Sequence, residues 1–307
     1  MKKNNLLLLC FLFSGNLFAQ FEHIIHRNAQ IERKSIFDID SIRFSPGNEM
    51  QVQLRDGSLS TFPISQLDSV TLKCAPGIAH TCGTGSIHNP ALNYGIMSDQ
   101  QGNTYKTIVI GTQEWMAENL RTSVFRNGAT IPHIIDTVQW VNCFNNQYSA
   151  WCYPQNISDL ECPYGKMYNW YAVTDQRNLC PAGWHIPSIE EWATLLNFLD
   201  STSAGGDNGL NSVGSKLKTT CTTHWQFPNS QGRNSSGFSA LPGGMRTSLG
   251  EFAGYYPAIG FYWSRSESFP GTGSNAGLCI SAAYNNGNAT KQSHSMAKGM
   301  SVRCMKD

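Results

Sequence analysis

Leu179 to Trp192 reads LCPAGWHIPSIEEW, and its second half carries the clearest instruction to fold in the chain. Ser188 followed three residues later by Glu191 is a capping box: the serine hydroxyl and the glutamate carboxylate each satisfy a backbone N–H that a helix start leaves without a partner. Ile189, Trp192, Leu195, Leu196 and Leu199 then recur at helical spacing and make one apolar stripe. The helix predicted from Ser188 onward must lie on a core. Glu190 and Glu191 are adjacent, so they face different sides of that helix, and Glu191 is engaged by the cap; a structural role outweighs acid–base chemistry for this pair. His185, just after Trp184, reads as a packed, hydrogen-bonded histidine. A weaker helix is expected from Leu210 to Lys218, with Leu210, Val213 and Leu217 on one side.

Upstream, Thr104 to Ile110 (TYKTIVI) reads as a strand rich in β-branched residues after a turn at Asp99–Asn103. Much of 124–179 is turn-rich and aromatic, with Trp140, Tyr148, Trp151, Tyr153, Tyr164, Tyr168, Trp170 and Tyr171. Such density more often packs a loop-heavy core than lines a pocket. From Gly237 on, short strands alternate with glycine-rich turns. Residues 94–307 read as one domain, preceded by a linker at 74–93 rich in Gly, Pro, Thr, His and Ser. Cys74 and Cys82 are read as a staple within the linker or to the domain, and His80 and His88 as solvated.

Residues 20–73 form a small all-β module. Ile36-x-x-Ile39-Asp40-Ser41-Ile42-x-Phe44 recurs as Ile64-x-x-Leu67-Asp68-Ser69-Val70-x-Leu72, and each copy ends in strand-like alternation. Between them, Asp56-Gly57 flanked by alternating segments is a hairpin signal. The first 19 residues have two lysines, an apolar run from Leu6 to Phe13 and a small residue at Ala19, the layout of a secretory signal. That run is far short of the roughly 20 residues that cross a bilayer, so no transmembrane segment is expected. The protein is read as exported, to the periplasm, the outer-membrane surface or the surroundings.

The whole chain of 307 residues has 22 basic and 21 acidic side chains, and only 14% of it is charged. Removing Lys2 and Lys3 with the signal leaves the two signs almost balanced, which argues against a nucleic-acid partner. Of ten cysteines, Cys10 lies within the signal, and the other nine read in an exported protein as up to four disulfides with one cysteine left over. No C-x-x-C pair is present, so neither a metal site nor a cofactor is expected. The chain has no Gly-x-Ser-x-Gly elbow, no His-Glu-x-x-His and no phosphate-cradling loop.

Six ordered segments carry a resemblance: DQQGNTYKTIVIGTQEWMAEN (99–119), YGKMYNWYAV (164–173), LCPAGWHIPSIEEW (179–192), GFSALPGGMR (237–246), GFYWSRSE (260–267) and GMSVRCMKD (299–307). The series resembles the Fibrobacter succinogenes major paralogous domain, a family of exported proteins common in Bacteroidota, over about two thirds of the chain. The family looks like a branch of the C-type-lectin-like fold and is similar in layout to the formylglycine-generating enzymes. The resemblance implies an α+β domain with a twisted antiparallel sheet, flanking helices and long loops, whose two ends meet through a Cys180–Cys304 disulfide. The calcium triplets of sugar-binding lectins, Glu-Pro-Asn or Gln-Pro-Asp, are missing, as is Trp-Asn-Asp, and Asp175, Asp207 and Asn208 offer too few oxygens for that ion. The expected function is therefore non-enzymatic recognition of a glycan or a surface protein. Candidate contacts are Arg246, Tyr255, Tyr256, Tyr262 and Trp263, since Tyr, Trp and Arg dominate interface anchors. The alternatives are a divergent thiol oxidase using Cys279 and Cys304, and a structural or adhesive surface component.

Overall fold

The computed structural model describes residues 21–27, 30–35, 39–45, 47–54, 56–74, 77–83, 85–207, 209–252, 254–268 and 276–307. The signal segment, and Ile36 in the first copy of the repeat, lie outside them. It is a mixed structure of antiparallel sheets with few helices. Among the described residues no helix is long and apolar enough to cross a membrane.

The N-terminal part is all β, as its alternation requires. Phe21–Arg27 pairs antiparallel with Gln30–Ser35 and with Leu67–Cys74, while Ile39–Ser45, Glu49–Leu54 and Leu59–Pro63 form a second three-stranded sheet. The Asp56-Gly57 hairpin is present, with Met50, Val52 and Phe62 buried on one face.

In the main domain a five-stranded antiparallel sheet has the order Trp184–His185, Met305–Lys306, Gln113–Met116, Thr104–Ile110, Gly95–Ser98. Trp115 pairs with Met305, so the last strand of the chain inserts beside one of the first strands of the domain. The domain's ends therefore meet, and the Cys180–Cys304 disulfide is formed with both residues buried. A second antiparallel sheet joins Ile259–Glu267, Ala276–Ala283 and Ala289–Ser295.

The capped helix runs Ile189–Leu199, and both reciprocal bonds of the box are made: Glu191 N donates to Ser188 Oγ (3.2 Å) and Ser188 N to Glu191 Oε2 (2.7 Å). Its stripe lies on one core cluster, where Trp192 packs against Trp115 with ring centres 4.6 Å apart and against Phe238 at 5.7 Å. The second helix is shorter than its periodicity suggested. It runs only Val213–Leu217, and Leu210 is 89% exposed. Asn211 ends the preceding loop instead, its side chain donating to Ala289 O and accepting from Ala289 N.

With so few helices, much of the interior is loop, and buried loop carbonyls need donors. Long cationic side chains supply them. Arg303, wholly buried, donates to Asn119 Oδ1 and to the carbonyls of Met116, Phe238 and Ser239. Lys218 Nζ donates to the carbonyls of Ser230, Ala283 and Asn286 at 2.7–2.9 Å. Arg246 does the same for Gly250, Ile134 and Ile135, its guanidinium lying 4.4 Å from the centre of the Trp140 ring.

Candidate functional site

The segment read as a solvated linker is packed into the domain. His80 is 2% exposed and His88 1% exposed. Both face Glu118, a wholly buried carboxylate just past the Gln113–Met116 strand. His88 Nε2–H donates to Glu118 Oε1 (2.9 Å), Thr81 N donates to the same oxygen (2.9 Å), and Thr81 Oγ1 donates to Oε2 (2.5 Å). His80 Nε2 stands 3.5 Å from Oε2. Burial outweighs the carboxylate's attraction and holds both imidazoles neutral: His80 is brought down to about 3, and His88 is lowered. The same donors keep Glu118 below the ordinary carboxylate value despite its burial.

On its other nitrogen, His88 Nδ1 accepts from Ser239 Oγ (3.0 Å), which accepts in turn from Asn234 Nδ2 (2.9 Å). Glu118, His88 and Ser239 thus form a hydroxyl–imidazole–carboxylate relay, with Ser239 at φ +56° in a Gly-Phe-Ser-Ala turn. Ser239 has no exposed surface, so no substrate carbonyl reaches its oxygen in this structure. The relay fastens the 77–89 segment to the domain.

Outside this anchor lies a cleft of about 360 Å³ bounded by Thr81, Asn103, Thr104, Arg121, Glu161 and the Cys82–Cys162 disulfide. Arg121 is 6% exposed, lies over the Tyr105 ring at 4.8 Å, and donates from one terminal nitrogen to Thr104 O (2.6 Å) and Thr81 Oγ1 (3.2 Å). Its Nε is buried with no hydrogen-bond partner among the described residues. Glu161 is held by Lys166 Nζ, which also donates to the Arg121 carbonyl. Gly165 makes that approach possible. At φ +74° a side chain there would meet Asn119 Cβ at 2.6 Å and the Leu120 carbonyl at 2.9 Å, whereas Lys166 N now donates to that carbonyl.

Lys166 also connects the cleft to an aromatic stack. Its Nζ lies 4.6 Å from the Trp151 ring centre and 5.7 Å from that of Tyr153. The exposed His133 ring lies flat on Trp151, 4.0 Å away and within 6° of parallel, and Tyr153 stands edge-on to both. Burial lowers the His133 pKa, with Lys166 and Arg246 adding to the effect.

Three of the contact residues expected from sequence lie in the core. Arg246, Tyr262 and Trp263 are buried; Tyr262 Oη donates to Leu241 O (2.9 Å) and Trp263 Nε1 to Tyr168 O (2.9 Å). Their polar atoms are engaged by backbone, which removes them as ligand contacts. Tyr255 and Tyr256 are half-buried, against Phe261 and Tyr164. Cys304 is bonded to Cys180, and Cys279 is a buried free thiol whose pKa burial pushes up, so these two do not make an accessible thiol pair. Cys143 and Cys152 are also free and buried, and Cys221 is disulfide-bonded. Asp175 is paired with Arg177 and Asp207 with Lys291. His185 is hydrogen-bonded as expected, to Asp307 (2.6 Å) and Glu191 (3.0 Å).

Sequence reading took His80 and His88 for solvated linker histidines and missed Glu118, Arg121 and His133. The aromatic run containing Trp151 and Tyr153 was its nearest signal, and nothing in the local pattern linked it to a histidine at 133 or an arginine at 121. Comparison with curated proteins and with solved structures finds no match to the chain. The model of the Fibrobacter succinogenes major domain does match, over residues 108–306, which are about two thirds of the chain. The protein belongs to the Fibrobacter succinogenes major domain family.

Proposed function

We propose that this is an exported, non-enzymatic recognition protein whose lectin-like domain takes a glycan at the cleft beside Arg121. The observation that carries the reading is a polar cleft lined by Arg121, Asn103, Thr81 and Glu161, joined through Lys166 to a ring stack whose outer member, His133, is exposed over the buried Trp151. Sugars present hydroxyls that need fixed polar partners and C–H faces that lie on aromatic rings. Arg121, Asn103, Thr81 and Glu161 supply the first, and His133 on Trp151, with Tyr153, supplies the second. The cleft volume, about 360 Å³, falls in the range of roughly 300–1,000 Å³ typical of small-ligand sites. A secretory signal and a disulfide open to solvent fit an oxidising compartment.

The test is a glycan array probed with the oxidised chain, followed by calorimetry on the strongest hit. Arg121→Gln and His133→Ala should each weaken binding about tenfold or more, or about 1.4 kcal/mol. Affinity unchanged by both would move the site away from this cleft.

A protein partner is the second reading. Ile135, Val138, Tyr148 and Ile157 are each at least 50% exposed within one stretch of the aromatic region. Binding lost in Val138→Asp but kept in Arg121→Gln would favour it.

A further inference from the structure

The cleft's disulfide is built against a histidine. His80 Nδ1 lies 2.7 Å from Cys82 Sγ, accepts from Cys82 N (3.1 Å), and belongs with Cys82 and Cys162 to a group whose ligand atoms all lie within 4.8 Å of one another. Because Nδ1 accepts that N–H, the ring's proton sits on Nε2, which points at Glu118. This is the tautomer of a metal-binding imidazole, with a carboxylate behind it on the other nitrogen. Glu118 is itself fixed by Thr81 and His88, and His80 Nε2, buried and without a hydrogen-bond partner among the described residues, stands 3.5 Å from it, so a small ring movement on binding completes the support. The two cysteines are half-buried and line the cleft, whereas Cys180 and Cys304 are sealed in the core. A soluble reductant therefore reaches one disulfide and not the other while the chain stays folded.

We propose that Cys82, Cys162 and His80 form a redox-gated site for a thiophilic divalent cation such as zinc: closed while the disulfide stands, open once a dithiol reduces it. In the reduction the Cys82–Cys162 S–S bond breaks to two thiols. The reductant's two S–H bonds give up two electrons and two protons and become its own disulfide. Cation binding then releases both protons and leaves two thiolates and one neutral imidazole as ligands, with a fourth position facing the cleft. Tetrahedral zinc sites have bonds of about 2.0–2.3 Å, so neighbouring donors sit roughly 3.3–3.8 Å apart. The Cα atoms of Cys82 and Cys162 are 6.0 Å apart; coordination requires the two thiolates to rotate apart and the Cys82 N–H to leave the His80 Nδ1 lone pair, which the cation then takes. The inference does not depend on a glycan occupying the cleft.

The test uses the full mature chain, oxidised or reduced under native anaerobic conditions with a phosphine that is then removed, and titrated with Co²⁺ alone. The reduced chain should bind one equivalent with thiolate-to-cobalt charge-transfer absorption, displaced by Zn²⁺, and the oxidised chain should show none. Cys82→Ser should abolish the band, and Glu118→Gln should weaken binding about 10- to 100-fold. Bound metal should also shield Cys82 and Cys162 from alkylation. The proposal is overturned if the folded chain resists reduction at this pair, if reduced chain with both thiols alkylatable gives no band, or if the band survives in Cys82→Ser. The comparison of oxidised with reduced wild-type chain needs no variant to fold.

Discussion

Two of the disulfides that tie this domain have surroundings that could hardly differ more. Cys180–Cys304 closes a separation of 124 residues and Cys82–Cys162 one of 80. In the chain-entropy model both stabilise by about 4–5 kcal/mol, because the dependence on loop length is only logarithmic. The first joins the segment before the capped helix to the last residues of the chain, with both cysteines buried in the core. The second faces a polar cleft and touches an imidazole. Similar cross-linking entropy thus accompanies opposite chemistry: one bond is placed to be permanent, the other to be reached. The cations differ too: Arg303 and Arg246 give their N–H groups to loop carbonyls and to Asn119, whereas Arg121 Nε is buried without a hydrogen-bond partner among the described residues.

Breaking the sealed side should cost most. Arg303→Ala strips donors from three carbonyls and from Asn119, and should destabilise the domain by about 3–5 kcal/mol in urea denaturation. A loss below about 1 kcal/mol would show that water enters this core freely. Next is acid. The unfolded chain protonates His80 near its ordinary value of 6.5, while the folded chain holds it neutral until about 3. Protons therefore favour unfolding: the contribution is complete above pH 6.5 and is lost as pH falls toward 3. Between pH 7 and pH 5 this one histidine should remove about 2 kcal/mol, with His88 acting in the same direction. His80→Asn should flatten that slope, and an unchanged slope would remove the histidine from the account. Arg121→Gln, on the open side, should cost only about 1 kcal/mol of stability, since its carbonyl partner borders the cleft and water can replace it. The smallest effect belongs to Leu210→Ala, below about 0.5 kcal/mol for a side chain this exposed. Leu217→Ala, seven positions on and buried, should cost about 2–5 kcal/mol.

That last pair shows what a sequence can and cannot reveal. Where the signal is local, the reading succeeded: Ser188 and Glu191 announce the helix, Asp56-Gly57 the hairpin, and Thr104 to Ile110 the strand. Leu210 shares the helical spacing of Val213 and Leu217, yet Asn211 uses its side chain on the Ala289 backbone and the helix starts later. Cys180–Cys304 was legible only through the family resemblance, because its two halves are 124 residues apart. Arg246, Tyr262 and Trp263 look like anchors by residue type. In this fold the same types are needed to satisfy and fill a loop-rich interior, and composition does not distinguish the two uses. The site itself was the least legible part. Glu118 gathers His80 and His88 across separations of 38 and 30 residues, in a segment whose composition reads as solvent-facing linker.

The most direct test of this division is graded reduction of the folded chain, with alkylation and non-reducing peptide mapping at each step. The account predicts that Cys82 and Cys162 are labelled together at low reductant while the Cys180–Cys304 crosslink persists until the chain unfolds. Release of Cys180 and Cys304 first, or of all four in one step, would contradict it.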